Sequence, residues 1–228
     1  MVGFVSDDRE RAVLRFAGVD RVADFCGLGV RRAGADGMAV MWVDRFDSLE
    51  SVFATDSVAE RIAELEFTFG EGPGHASLRS KKMAGCDDLA AAEAGQLWPA
   101  FAPDATAAGV RAIHAFPLIS LARVWGVVSL YRHMPGGLSR EQTKQAATVT
   151  ELIGMALIDP DSEAIVGSGL RMTVHQAAGM VMVQTGSSIQ DALVLLKATA
   201  FSEDRVVNDL AAEVVAGRRR FEQMETER

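Results

Sequence analysis

The stretch "VRAIHAFPLISLARVWGVVSLYR" (residues 110–132) decides the fold. Its halves, "VRAIHAFPLI" (110–119) and "ARVWGVVSLYR" (122–132), are rich in β-branched and aromatic residues, and only a few residues separate them, which predicts an antiparallel strand pair. A second pair is expected upstream, with "GMAVMWVDRF" (37–46) and "SVFAT" (51–55) joined through the turn-like "DSLE". Helical periodicity flanks these strands. Val13, Leu14, Phe16, Val22, Phe25 and Cys26 recur at helical spacing from Asp7 to about Arg32. Ser57, with Glu60 three residues on, predicts a capped helix start, and so does Ser139 with Gln142. The second of these helices carries Ala146, Val149, Leu152, Ile153 and Leu157 along one stripe. Between them, "FTFGEGPGHASLRS" (67–80) is expected to form a loop at Gly70, Gly72, Pro73 and Gly74 before a short helix. The order helix, hairpin, mixed middle, hairpin, helix defines an α+β domain over residues 1–158.

Strand signals stop at "IDPDSEAIVGSG" (158–169), and residues 159–170 are expected to form a linker or helix extension. The remaining chain is helical in pattern. Val174, Ala177, Ala178, Val181 and Met182 form one face of a helix A that Gly186 should stop. Helix B is expected to open at Ser188 with Asp191 in the cap, and helix C at Ser202 with Glu203 and Asp204 in its first turn. Three short helices over 171–221 make a small all-α bundle, followed by a charged tail at 222–228.

The chain has 228 residues, 49% hydrophobic and 24% charged, as in an ordinary globular protein. Its net charge of −8 carries no general attraction for nucleic acid, so such binding must be local. No apolar run approaches the roughly 20 residues that cross a bilayer, and the N-terminus becomes charged too early for a signal-peptide core; a cytoplasmic location without membrane association is expected. Cys26 and Cys86 are too few for a disulfide framework. The four histidines show no ligand spacing, so no metal and no cofactor are expected. Asp87 and Asp88 beside Cys86 should raise its thiol pKa, against a thiol enzyme. Trp42, Phe116, Trp125 and Tyr131 are either core or the lining of a ligand pocket.

The segment 171–221 resembles the ANTAR domain, the RNA-binding module of bacterial transcription antiterminators. The likeness is carried by Ala177 and Gly179 with Met182, by Gly186, by Ala192, Leu196 and Ala200, then by Arg205, Leu210, Ala211 and Val215. It departs at Ala178, where many members carry lysine, and at Leu193, where many carry an aromatic residue. "GEGP" with Gly70, "LWPAFAPDATAAGVRAIHAFPL" and "VWGVVSLYR" are similar to the GAF domains that precede ANTAR domains in actinobacterial proteins. The resemblance implies a non-enzymatic, signal-responsive regulator. It would dimerise and bind paired stem-loops in nascent mRNA, promoting antitermination, while a small molecule or protein partner acts on the GAF domain.

Gly179 lies mid-helix, where glycine costs roughly 1 kcal/mol relative to alanine. Either close helix packing or a bare surface for an RNA loop base would offset it. On the RNA reading the contact residues are Gln176, Ala178 and Gly179, with Arg171, Lys197, Arg205 and Arg218 supplying charge. The alternatives are a GAF-linked dimerisation adaptor without RNA binding, and a thiol-dependent GAF enzyme.

Overall fold

The structure is a computed structural model that describes residues 21–44, 48–157, 172–203 and 205–221. The predicted ends at Arg171 and the 222–228 tail, and the linker at 159–170, lie outside the described residues. The chain divides into two compact units between Ser168 and Gly169.

The first unit is built on a five-stranded antiparallel sheet of order β2-β1-β5-β4-β3. Its strands are β1 (Gly37–Val43), β2 (Leu49–Ala54), β3 (Ala84–Cys86), β4 (Ala112–Ser120) and β5 (Arg123–Arg132). The expected pairs β1–β2 and β4–β5 both form. Alternation along the strands sends side chains to two different cores. Met41, Val127 and Tyr131 face one core with α2 (Ser57–Phe69), α3 (Pro73–Ser80), α4 (Ala92–Leu97) and α5 (Phe101–Ala107). Met38, Val40, Val128 and Leu130 face the other, which takes in residues of α1 (21–33) and α6 (Arg140–Leu157).

Local signals set the helix ends. Ser139 and Gln142 form the reciprocal box that opens α6: the Ser139 Oγ accepts from the Gln142 N–H (3.2 Å), and the Gln142 Oε1 accepts from the Ser139 N–H (2.9 Å). The expected start of α2 is corrected by one residue. Its cap is Asp56, whose Oδ1 accepts from the Ala59 N–H at 2.8 Å; Ser57 is the first helical residue. A carboxylate suits the positive end of the helix dipole better than a hydroxyl, and this one is anchored further by the Thr55 and Tyr131 hydroxyls.

The β4–β5 turn has only two residues, Leu121 and Ala122, both at positive φ (49° and 63°). A two-residue hairpin demands this backbone, which Asn-Gly normally supplies. Close to this turn, Leu118 pairs with Gly126 but Ile119 with Val124, so Trp125 stands opposite no residue. This bulge turns the Trp125 ring against Trp42, with centroids 5.6 Å apart.

The second unit contains α7 (Met172–Thr185), α8 (Ile189–Ser202) and α9 (Val207–Val215). Gly186 ends α7 at φ 69°, its N–H donating to the Met182 carbonyl. Ser188 caps α8 through the Asp191 N–H at 3.1 Å, as its spacing predicts. Helix C does not start at Ser202. That hydroxyl donates back to the Thr199 carbonyl (2.9 Å) within α8, so α8 runs on, and α9 begins at Val207 with no side-chain cap.

Candidate functional site

The "GEGPG" run (70–74) forms a collar around one buried carboxyl group. Gly70 closes α2 in the left-handed conformation, its N–H donating to the Glu66 carbonyl. Glu71 reaches across to accept from the N–H groups of Ala100 (2.6 Å) and Phe101 (2.8 Å), the otherwise unmatched donors at the start of α5. Gly72 (φ 124°) and Gly74 lie so near Glu66 that a Cβ on either would meet its side chain. The Gly74 N–H donates to the Glu66 Oε1 at 2.8 Å, and His75 Nε2 donates to the Glu66 carbonyl at 3.0 Å. Glu66 itself is fully buried, and its Oε2 has no hydrogen-bond partner. Burial pushes its pKa up to about 8 against the single hydrogen bond from Gly74, so the group is mostly protonated at neutral pH.

This face of the sheet is filled. Phe67, Trp98, Phe101 and Tyr131 are each at most 5% exposed. Tyr131 donates its hydroxyl proton to the Asp56 Oδ1 at 2.9 Å, and its own pKa is raised by burial and then by that carboxylate. The four expected pocket residues therefore do not share a pocket. Tyr131 belongs to the packed face, whereas Phe116 and Trp42 lie on the opposite one, where Trp125 joins Trp42 and carries the Arg123 guanidinium 4.2 Å above its ring. The bulge at Trp125 separates residues that a regular strand would place together.

Phe116 does line an open cleft of about 590 Å³, between the end of β4 and α6. Two sequence features leave that space. β3 pairs only with Ile113 to Ala115, so among the described residues the edge of β4 beyond Ala115 has no strand beside it, and Pro117 there lacks an N–H to offer one. On α6, Thr143, Ala147, Thr150 and Gly154 recur at helical spacing along the cleft wall, all too small to fill it. Both threonine hydroxyls donate within the helix, to the Ser139 (3.0 Å) and Ala146 (2.9 Å) carbonyls, so this wall presents methyl groups and spent hydroxyls. Lys81, Lys82 and Met83 close the β3 end. The spacing of small residues on α6 is legible in the sequence, but which element they face is not.

Cys86 is held as a thiol. Its Sγ donates to the Asp88 carbonyl at 3.1 Å, and its pKa is raised by burial first and then by Asp87, Asp88 and Glu93. Beside it, the nearly buried His114 imidazole lies 3.0 Å from the Asp87 carboxylate; burial lowers its pKa more than that partner raises it.

In the second unit the expected RNA contacts separate. Gln176 is exposed on α7, but Ala178 lies with Val174, Ala177 and Val181 among the fully buried residues, which corrects its assignment to an open surface. Gly179 is half-buried, and a Cβ there would meet nothing within 4 Å, so close packing among the described residues does not explain it. Arg205 is also corrected as an available cation. Its guanidinium is held by Glu213 (2.8 and 3.2 Å) and lies 3.5 Å from Glu203. Lys197 is half-buried, while Arg218 and Arg220 are exposed.

An antiparallel sheet with one face sealed and a cleft opening at the edge of the other defines the first unit as a module of the α+β class. The GAF domain model matches residues 17–158, over half of the chain, and the chain belongs to the GAF domain family. Among solved structures it is similar to the GAF domain region of a protein from Geobacter sulfurreducens PCA, at 14% identity and TM-score 0.51, covering 66% of this chain and 97% of that one. It is also similar to the GAF domain of the Acinetobacter phosphoenolpyruvate-protein phosphotransferase, at 8% identity and TM-score 0.50, covering 73% of this chain and 100% of that one. At these identities the likeness shows the fold alone. No curated protein sequence matches the chain. Membership of this family makes the first unit a signal-sensing regulatory module. Among the described residues no helix is long and apolar enough to cross a membrane.

Proposed function

We propose that the chain is a signal-responsive RNA-binding regulator, in which the GAF unit receives a signal and the three-helix unit, as a dimer, holds paired stem-loops in nascent mRNA to promote antitermination. Gly179 carries this reading. A mid-helix glycine gives up roughly 1 kcal/mol relative to alanine, and here the space beside it is open. The exposed Gln176 lies one turn before it on α7. Recognition of single-stranded loops by shape and stacking uses such a platform. Arg218 and Arg220 supply exposed positive charge, in place of a helix A lysine and of the paired Arg205.

The test is fluorescence anisotropy of a tandem stem-loop RNA with the full chain, repeated across salt concentrations. Binding should weaken with salt along a log–log slope of a few phosphates. Gly179→Ala should leave the fold intact, since the new methyl meets nothing, while weakening RNA binding. A complex indifferent to salt, or an alanine variant that binds as before, refutes the reading.

The exposed Val183 and Val194 (76% and 64%) favour a second reading, a dimerisation adaptor without RNA. That reading is supported if the chain dimerises but no stem-loop RNA binds.

A further inference from the structure

The cleft between β4 and α6 has an apolar body and a one-sided charge. Its floor is Phe116, Leu118 and Ile119, with Met83 and Met155 exposed at its margins (40% and 73%). Its volume of about 590 Å³ lies within the range of small-molecule pockets, roughly 300–1,000 Å³. Lys81 and Lys82 stand together at its β3 end, and neither has a carboxylate partner among the described residues, in a chain whose net charge is −8. On the α6 wall the one charged residue is Glu151, and the threonine hydroxyl protons there are already spent within the helix. Beside the Ser120 hydroxyl, the charged hydrogen-bond donors for an occupant are the two ammonium groups, at one end only.

Backbone strain falls at the same place. Among the described residues only Lys81, Leu121 and Ala122 combine positive φ with a side chain. Lys81 lines the cleft, and the Leu121-Ala122 turn directly follows its lining residue Ser120. Lys81 holds the left-handed position that ends α3, with its N–H on the Ser77 carbonyl, where glycine would be easier. Conformations of this kind cluster at binding sites, where surrounding structure holds them.

We infer that this cleft binds an amphipathic monoanion, a medium-chain or aromatic carboxylate, with its apolar body against Phe116, Leu118 and Ile119 and its head group between Lys81 and Lys82. The ligand is the input of the sensory unit, which deepens the sensory half of the proposed function. Its test is read on the RNA-free protein, so it fails or succeeds independently of RNA binding.

The probe is decanoate, titrated calorimetrically into the full chain, with decanol and decylamine as matched neutral and cationic controls. Decanoate should bind more tightly than both. K81Q/K82Q should weaken decanoate by about tenfold while leaving decanol unchanged, since only the charged head group engages the ammonium groups. Glu151→Gln should tighten decanoate by about twofold, by removing a like charge. Gly154→Phe, whose ring would enter the cleft, should abolish binding of both. Should that variant fail to fold, methyl NMR on the parent chain decides the location. Of its ten methionines, Met83 and Met155 should shift most on adding decanoate. Equal binding of all three probes, decanoate affinity untouched by K81Q/K82Q, or unmoved Met83 and Met155 signals each overturn the inference.

Discussion

Replacing Glu66 by glutamine should change how the stability of the first unit depends on pH. The folded carboxyl has its pKa pushed up to about 8 from an ordinary value of 4.5, because it is wholly buried and only the Gly74 N–H offsets the loss of water. Between those two values the folded chain holds a proton that the unfolded chain has released. Stability therefore falls as pH rises through this window, and levels off above about pH 8. At about 1.4 kcal/mol per pKa unit the full shift is worth on the order of 5 kcal/mol. Roughly 3 kcal/mol of it is lost between about pH 5.5 and about pH 8.5. Glutamine keeps an oxygen for the Gly74 N–H and places an N–H donor where the protonated acid has its O–H, so it imitates the protonated form. Urea unfolding followed by tryptophan fluorescence reads this unit, since Trp42, Trp98 and Trp125 all belong to it. Between about pH 5.5 and about pH 8.5 the variant should gain about 3 kcal/mol of stability over the parent, and the two should converge only below the ordinary carboxylate pKa of 4.5. Groups other than Glu66 are common to both proteins and cancel in the difference. Parallel curves across this range would refute the reasoning.

Two further outcomes follow from the turns and caps. Leu121→Asn with Ala122→Gly should stabilise the first unit by about 1–2 kcal/mol in the same unfolding assay, since left-handed backbone costs ordinary residues about that much. Asp56→Ala should cost more than the roughly 1 kcal/mol of an average cap, because it also strands the Tyr131 hydroxyl. Burial would raise the Asp56 pKa, but its bonds to the Ala59 N–H and to the Thr55 and Tyr131 hydroxyls hold it below the usual range. Its stabilisation is thus present above the ordinary carboxylate pKa and disappears as pH falls through the folded value, a loss the alanine variant should not show.

The parts of this protein that follow from neighbours in the chain were legible in the sequence. The hairpins at 37–55 and 110–132, the Ser139–Gln142 and Ser188–Asp191 caps and the Gly186 stop rest on contacts within a few residues, and the periodicity behind them survives any arrangement of the rest. Ser57 and Ser202 show the limit of such signals, since each serine competes with a neighbour or with its own preceding helix for the same hydrogen bond. The tertiary structure alone decided what the long-range contacts impose. Trp125 and Tyr131 are an even number of residues apart, yet a bulge sends their rings to different faces of the sheet. Glu66 looks in sequence like any helix-surface glutamate until α3 closes over it. Glu71 caps a helix about thirty residues away. The cleft beside α6 exists because β3 ends early on an edge that only the assembled sheet defines. Residue type and spacing set what each segment can form, whereas burial, charge pairing and open space depend on which segments meet.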